Sequence, residues 1–144
     1  MILTQSPTIQ KLGYFLFLRD IKQAYTRSRS YLVRDILCWP SPEVIEAYGL
    51  APDTIMHVIK PLYGLAEAGN HWYETWVTYL RENLRLGPSC FDPCQLMTRS
   101  KPLAISGVQV DDTIFLADHQ FVKLEDEQLP KIWIPSRPYQ KTDN

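Results

Sequence analysis

Two aspartates, Asp111 and Asp112, stand side by side between two apolar, β-prone runs at residues 103–110 and 113–117. Runs of that kind, separated by so short a polar break, predict a β-hairpin with carboxylates at its tip. Turn chemistry alone favours Asn-Gly or Asp-Gly at such a place, so an acidic pair needs a different reason. Like charges about 4 Å apart repel by roughly 1 kcal/mol in water and about 4 kcal/mol at an effective dielectric of 20. Neighbouring carboxylates therefore need exposure, protonation or a cation.

A third aspartate, Asp20, follows another apolar run, residues 14–18, whose unbroken hydrophobicity suits a strand buried on both faces. If that strand lies beside the hairpin, the three acids converge on an oxygen-rich site suited to Mg²⁺. Taken one at a time, each aspartate is more often a turn residue or a helix cap than a functional group. Further β-prone segments, 31–39 and 55–59, are stopped by Pro40-Ser41-Pro42 and Lys60-Pro61. The plainest helix covers residues 65–84, where Leu65, Ala68, Trp72, Trp76, Tyr79, Leu80 and Leu84 recur at helical spacing as one apolar stripe, ended by Gly87-Pro88. That stripe makes Trp72 and Trp76 core residues rather than base-stacking platforms. A shorter helix is expected over 119–129, with Phe121, Leu124 and Leu129, before Pro130.

The length of 144 residues fits one domain, and eleven prolines oppose an all-helical bundle. Strands mixed with helices give an α+β expectation. A net charge of -1 announces no global attraction to nucleic acid or membrane, so any such binding needs a local patch. Lys11, Arg19, Lys22, Arg27, Arg29 and Arg34 make residues 11–34 basic, with Asp20 the sole acid among them, which suits phosphate contacts or a solvated face. Three cysteines cannot all pair and lack zinc-knuckle spacing, so thiols in the core of a reduced, intracellular protein are expected. The longest apolar run is too short to span a bilayer and no signal peptide precedes it, which predicts a soluble chain with no membrane partner.

Three stretches in order, Arg19-Asp20-Ile21-Lys22-Gln23-Ala24-Tyr25, Lys60-Pro61-Leu62-Tyr63-Gly64-Leu65 and Val108-Gln109-Val110-Asp111-Asp112, resemble the central motifs of copia-type retrotransposon reverse transcriptases. The likeness extends to Ala68-Gly69-Asn70-His71-Trp72 and Ser89-Cys90-Phe91-Asp92-Pro93-Cys94, and more loosely to residues 121–138. This resemblance implies an RNA-directed DNA polymerase, a nucleotidyltransferase, on a palm whose antiparallel sheet is backed by helices. It implies that Asp20, Asp111 and Asp112 are catalytic and hold two Mg²⁺ ions, or Mn²⁺ in their place, with the carbonyl of Ile21 as a further ligand. One ion would lower the pKa of a primer 3′-hydroxyl and the other would neutralise the triphosphate. By the same resemblance Tyr25 lies under the incoming sugar, where its ring would exclude a ribose 2′-hydroxyl, and Tyr63 and Gly64 pack beside the nucleotide. Lys60, Arg27 and Arg29 are the cations expected to meet phosphates. The implied partners are a primed RNA or DNA template and deoxynucleoside triphosphates, in a cytoplasmic virus-like particle or in the nucleus.

The chain departs from the family pattern in two ways. The segment between Ser6-Pro7-Thr8 and the Asp20 strand is short, and Glu67 and Gly69 stand where relatives often carry glutamine and proline, which puts a carboxylate near template phosphates. The expectation is thus a palm with incomplete fingers and no thumb. Residues 1–13 read as a remnant of upstream fingers, 14–129 as the palm and fingers fragment, and 130–144 as a loose tail, without the ribonuclease H and integrase of a parent polyprotein. Two other functions compete with polymerisation: a non-catalytic remnant of a decayed element that binds nucleic acid weakly, and a Mg²⁺-dependent phosphoesterase that reuses the three acids.

Overall fold

The apolar runs around the acids become strands of one antiparallel sheet. The computed structural model describes residues 7–129, so the expectations for the first six residues and for the tail from 130 lie outside the described residues. In chain order the elements are α1 (Pro7–Lys11), β1 (Tyr14–Asp20), a 3₁₀ turn (Tyr25–Arg27), β2 (Leu37–Cys38), α2 (Pro42–Tyr48), β3 (Met56–His57) and α3 (Ala68–Leu84). Then follow β4 (Gly87–Pro88), β5 (Gln95–Met97), β6 (Ala104–Gln109), β7 (Asp112–Asp118) and α4 (His119–Gln128). Five strands pair antiparallel in the order β1-β7-β6-β5-β4, while β2 and β3 form a separate ribbon. Among the described residues the fold is therefore α+β, with a five-stranded antiparallel sheet and four α-helices.

An antiparallel sheet can keep one face in water, and this one does. Along β1, Phe17 and Arg19 are buried while Leu18 between them is 53% exposed, so the expected two-sided burial of that strand is corrected to one side. Apolar residues occupy both faces of β1, which hid the alternation in the sequence. On the covered side Phe17 stacks on Phe115 with ring centroids 5.1 Å apart, and Phe115 meets Phe121 of α4 at 5.8 Å. The α3 stripe supplies Trp72, Trp76, Tyr79, Leu80 and Leu84 to the same core, which bears out the core reading of both tryptophans. Between Tyr25 and Ala68 no described residue adds a side chain to this core.

Helix α3 begins at Ala68 rather than at residue 65: left-handed Gly64 (φ 94°) and the tight turns closed by Leu65 N–H to Leu62 O (3.2 Å) and Ala68 N–H to Leu65 O (3.1 Å) take up the residues between. It stops before Gly87-Pro88: Arg85 turns left-handed (φ 58°), Leu86 N–H donates to Leu80 O at 3.1 Å, and Gly87-Pro88 forms the edge strand β4, where a proline is tolerated. The expected strands at 31–39 and 55–59 shrink to two residues each, since Leu37, Ile55 and Ile59 have no core to pack against and stay more than half exposed. Helix α2 was not anticipated, although Pro42 at its start and left-handed Gly49 (φ 60°) at its end are ordinary helix signals. Asp118 caps α4, its Oδ1 accepting from Phe121 N–H at 2.9 Å while Oδ2 accepts from Leu103 N–H at 2.7 Å. The cysteines are unpaired, but none is buried, which corrects the expectation of core thiols. No helix among the described residues is long and apolar enough to cross a membrane.

Candidate active site

Strand pairing brings the three acids to one corner of the sheet. Asp20 ends β1 and Asp112 opens β7, and the two are direct register partners. Opposed residues of an antiparallel pair project to the same face with Cβ atoms about 4.5–5.5 Å apart. That face is the open one, because the neighbours Arg19 and Thr113 point into the core. Asp111 occupies the two-residue turn between Gln109 and Asp112, which close the β6–β7 hairpin as register partners. Its carbonyl accepts from Ile21 N–H at 3.0 Å, so the residue after Asp20 is tied to the hairpin tip. Oxygen donors of this kind suit a hard divalent cation. Among the described residues, no group of three or more His, Cys, Asp or Glu side chains is placed so that it could hold a metal ion. What the three aspartates share with such a site is donor type, and register sets Asp20 opposite Asp112.

The side chains expected beside a nucleotide flank the same corner. Ile21 is fully buried. Tyr25, in the 3₁₀ turn, meets Tyr63 with ring centroids 4.4 Å apart and planes at 33°. Burial pushes the Tyr63 hydroxyl pKa up, and the charge of Asp111 adds to this, followed by Tyr25 and Asp20, while the Ala24 backbone pulls the other way. The hydroxyl therefore feels an acid from the hairpin turn and one from the end of β1. Gly64 turns the chain next to Tyr63; an added Cβ would meet nothing within 4 Å, so its left-handed φ, not crowding, calls for glycine.

The basic residues divide. Lys60 Nζ donates to Ser28 O at 2.6 Å and Arg29 O at 3.3 Å, and stands 4.1 Å from the Tyr31 ring centroid, so it is engaged in closing its own loop. Arg27 Nε donates to Lys22 O at 2.9 Å. Arg29 leans toward Glu82, 3.6 Å away and about 15 Å along α3 from Trp72 at 1.5 Å per residue. Arg19, counted from sequence among the phosphate-facing cations, is instead buried against Glu125 and Asp126 of α4, because strand alternation turns it inward. Glu67 is held by Arg34 at 2.5 Å, which neutralises the carboxylate expected to trouble template phosphates.

Two contributions to the corner come from the helix stripe and went unseen in the sequence. Trp72 Nε1 donates to Val110 O at 2.7 Å, and Trp76 Nε1 donates to Thr113 Oγ1 at 2.8 Å. Periodicity placed these indoles in the core; only the rule that a buried indole N–H finds a partner hints at more. Val110 itself has φ of 53°, a left-handed conformation that costs an L-residue roughly 1–2 kcal/mol. Two-residue hairpins favour a positive φ at that first position, usually with Gly or Asn. Compared with known proteins, the chain matches no family model, and no curated protein or solved structure shows significant similarity to it.

Proposed function

We propose that the chain is the palm portion of a copia-type reverse transcriptase, an RNA-directed DNA polymerase that adds deoxynucleotides to a primer 3′-hydroxyl. The observation that carries this reading is the register of Asp20 against Asp112: the acid of the first motif and the acids of the third, far apart in sequence, meet at one sheet corner. Asp20, Asp111 and Asp112 would hold Mg²⁺, which when bound supplies activation of the hydroxyl and neutralisation of the triphosphate charge.

The chain's own residues would orient the reactants. Tyr25, braced by the Tyr63 ring, would lie under the sugar and leave no room for a 2′-hydroxyl. The open sheet face beside the acids, with Leu18 exposed on it, would accept the primer end. Arg27 and Lys60 lie at the loop that follows Asp20, where a template strand would bring its phosphates.

The test is primer extension on an RNA template with deoxynucleotides and Mg²⁺, using the full chain and Asp111→Asn. Extension by the wild type that the variant lacks supports the reading. Metal-independent duplex binding that Asp20→Asn leaves unchanged, with no extension, replaces it by a passive nucleic-acid binder. Phosphate release from small esters without extension replaces it by a phosphoesterase.

A further inference from the structure

We infer that Trp72 is a positioning residue that fixes the spacing of the acidic corner, an inference that rests on reading Asp20, Asp111 and Asp112 as an ion-binding set. Val110 takes a left-handed backbone although it is β-branched. Burial of its side chain does not compensate, since Val110 is 47% exposed. A hydrogen bond does: the Val110 carbonyl accepts from Trp72 Nε1 at 2.7 Å. The indole has one donor and no acceptor, and Trp72 is 1% exposed, so water does not compete for its N–H. Its ring stacks on Trp76 at 5.8 Å and 11°, and Trp76 in turn donates to Thr113. Two parallel indoles one helical turn apart thus grip residues 110 and 113, the two positions that bracket Asp111 and Asp112. The third tie, from Ile21 N–H to Asp111 O, fastens the same tip to the end of β1. The hairpin tip is thus tied to α3 through a turn position whose positive φ suits the hairpin but disfavours a valine.

Trp72→Phe keeps an aromatic ring and removes the donor. With the clamp gone, the Val110 turn relaxes and the Asp111 carboxylate moves relative to Asp20. Mn²⁺ alone, titrated by electron paramagnetic resonance, should then bind about tenfold more weakly, in the range seen when an outer partner of a metal ligand is lost. Val110→Gly in the same background should restore affinity to within about threefold of the wild type, because glycine holds a positive φ without a clamp. A merely structural role for Trp72 would give no such rescue.

Asp111→Asn separates this inference from the reading beneath it. If the wild type binds Mn²⁺, Asp111→Asn does not, and Trp72→Phe binds within twofold of the wild type, the inference is overturned while the reading stands. Weak binding by Trp72→Phe that Val110→Gly fails to rescue also overturns it. If the wild type and Asp111→Asn behave alike, the reading falls and takes this inference with it. Should Trp72→Phe not fold, the wild type decides: Mg²⁺ should shift the Trp72 indole N–H resonance and slow its exchange, leaving that of exposed Trp39 unchanged, and an unmoved Trp72 signal overturns the inference.

Discussion

Arg19 and Glu125 form a buried ion pair that fastens α4 to the inner face of β1. Arg19 Nε donates to the two carboxylate oxygens at 2.8 and 3.0 Å, a second guanidinium nitrogen also reaches Glu125, and Asp126 accepts from it at 2.5 Å. Burial pushes the Glu125 pKa up and Arg19 draws it back. Successive strand residues face opposite ways, so this inward anchor sets the backbone from which Asp20 projects outward. Glu125→Ala, which leaves the buried guanidinium only the exposed carboxylate of Asp126, should cost about 3 kcal/mol in urea unfolding. The double change Arg19→Met with Glu125→Leu should recover most of that loss, since replacing both charges by apolar groups is often neutral or better.

Tyr79 carries a buried hydroxyl with no hydrogen-bond partner among the described residues. Tyr79→Phe should therefore stabilise the fold by about 1 kcal/mol, the lower end of the cost of an unsatisfied buried group. Burial, reinforced by the charge of Glu125 and opposed by Arg19, raises the pKa of this phenol. Above about pH 10 the unfolded chain loses a proton that the folded chain keeps, so wild-type stability falls as pH rises. Tyr79→Phe lacks that proton, and its advantage should widen in denaturant melts carried above pH 10.

Asp20→Asn bears on the acidic corner without catalysis. In metal-free buffer it removes one of two directly opposed negative charges and should raise stability by up to about 1 kcal/mol. Mn²⁺ at a hundred times its Kd should add about 2.7 kcal/mol to the wild type and markedly less to the variant. Thermal melts with and without the ion read both effects.

Gly64→Ala should cost about 1–2 kcal/mol from its backbone alone, because φ of 94° disfavours any side chain while no atom crowds the site. The Tyr25–Tyr63 contact should loosen with it, read as faster amide exchange at residues 24–26 in the variant.

The sequence spoke clearly where one pattern had one structural meaning. The paired runs around Asp111-Asp112 became β6 and β7, the stripe from Ala68 to Leu84 became α3, and the last apolar pattern became α4. It spoke ambiguously where hydrophobicity was not periodic: β1 is apolar on both faces, so neither its open side nor the inward turn of Arg19 was visible. Pairing of β1 with β7 is a long-range choice that no local signal fixes, and the motif order was the only hint of it. Donor contacts such as Trp72 to Val110 depend on side-chain direction across two elements, which helical spacing cannot supply.

Residues 26–67 add no side chain to the main apolar core, which gives the molecule a softer third. This stretch is moored by Arg29 N–H to Thr75 Oγ1 at 2.9 Å, Ser30 Oγ with His71 Nδ1 at 2.6 Å and the Tyr63 ring on Tyr25, while Tyr31, Val33, Leu37 and Trp39 face water. Sparse apolar burial is the mark of a segment that opens locally, so this arm should open at lower free energy than the tightly packed part. A protease would nick it first, leaving the sheet and α3 as the durable kernel.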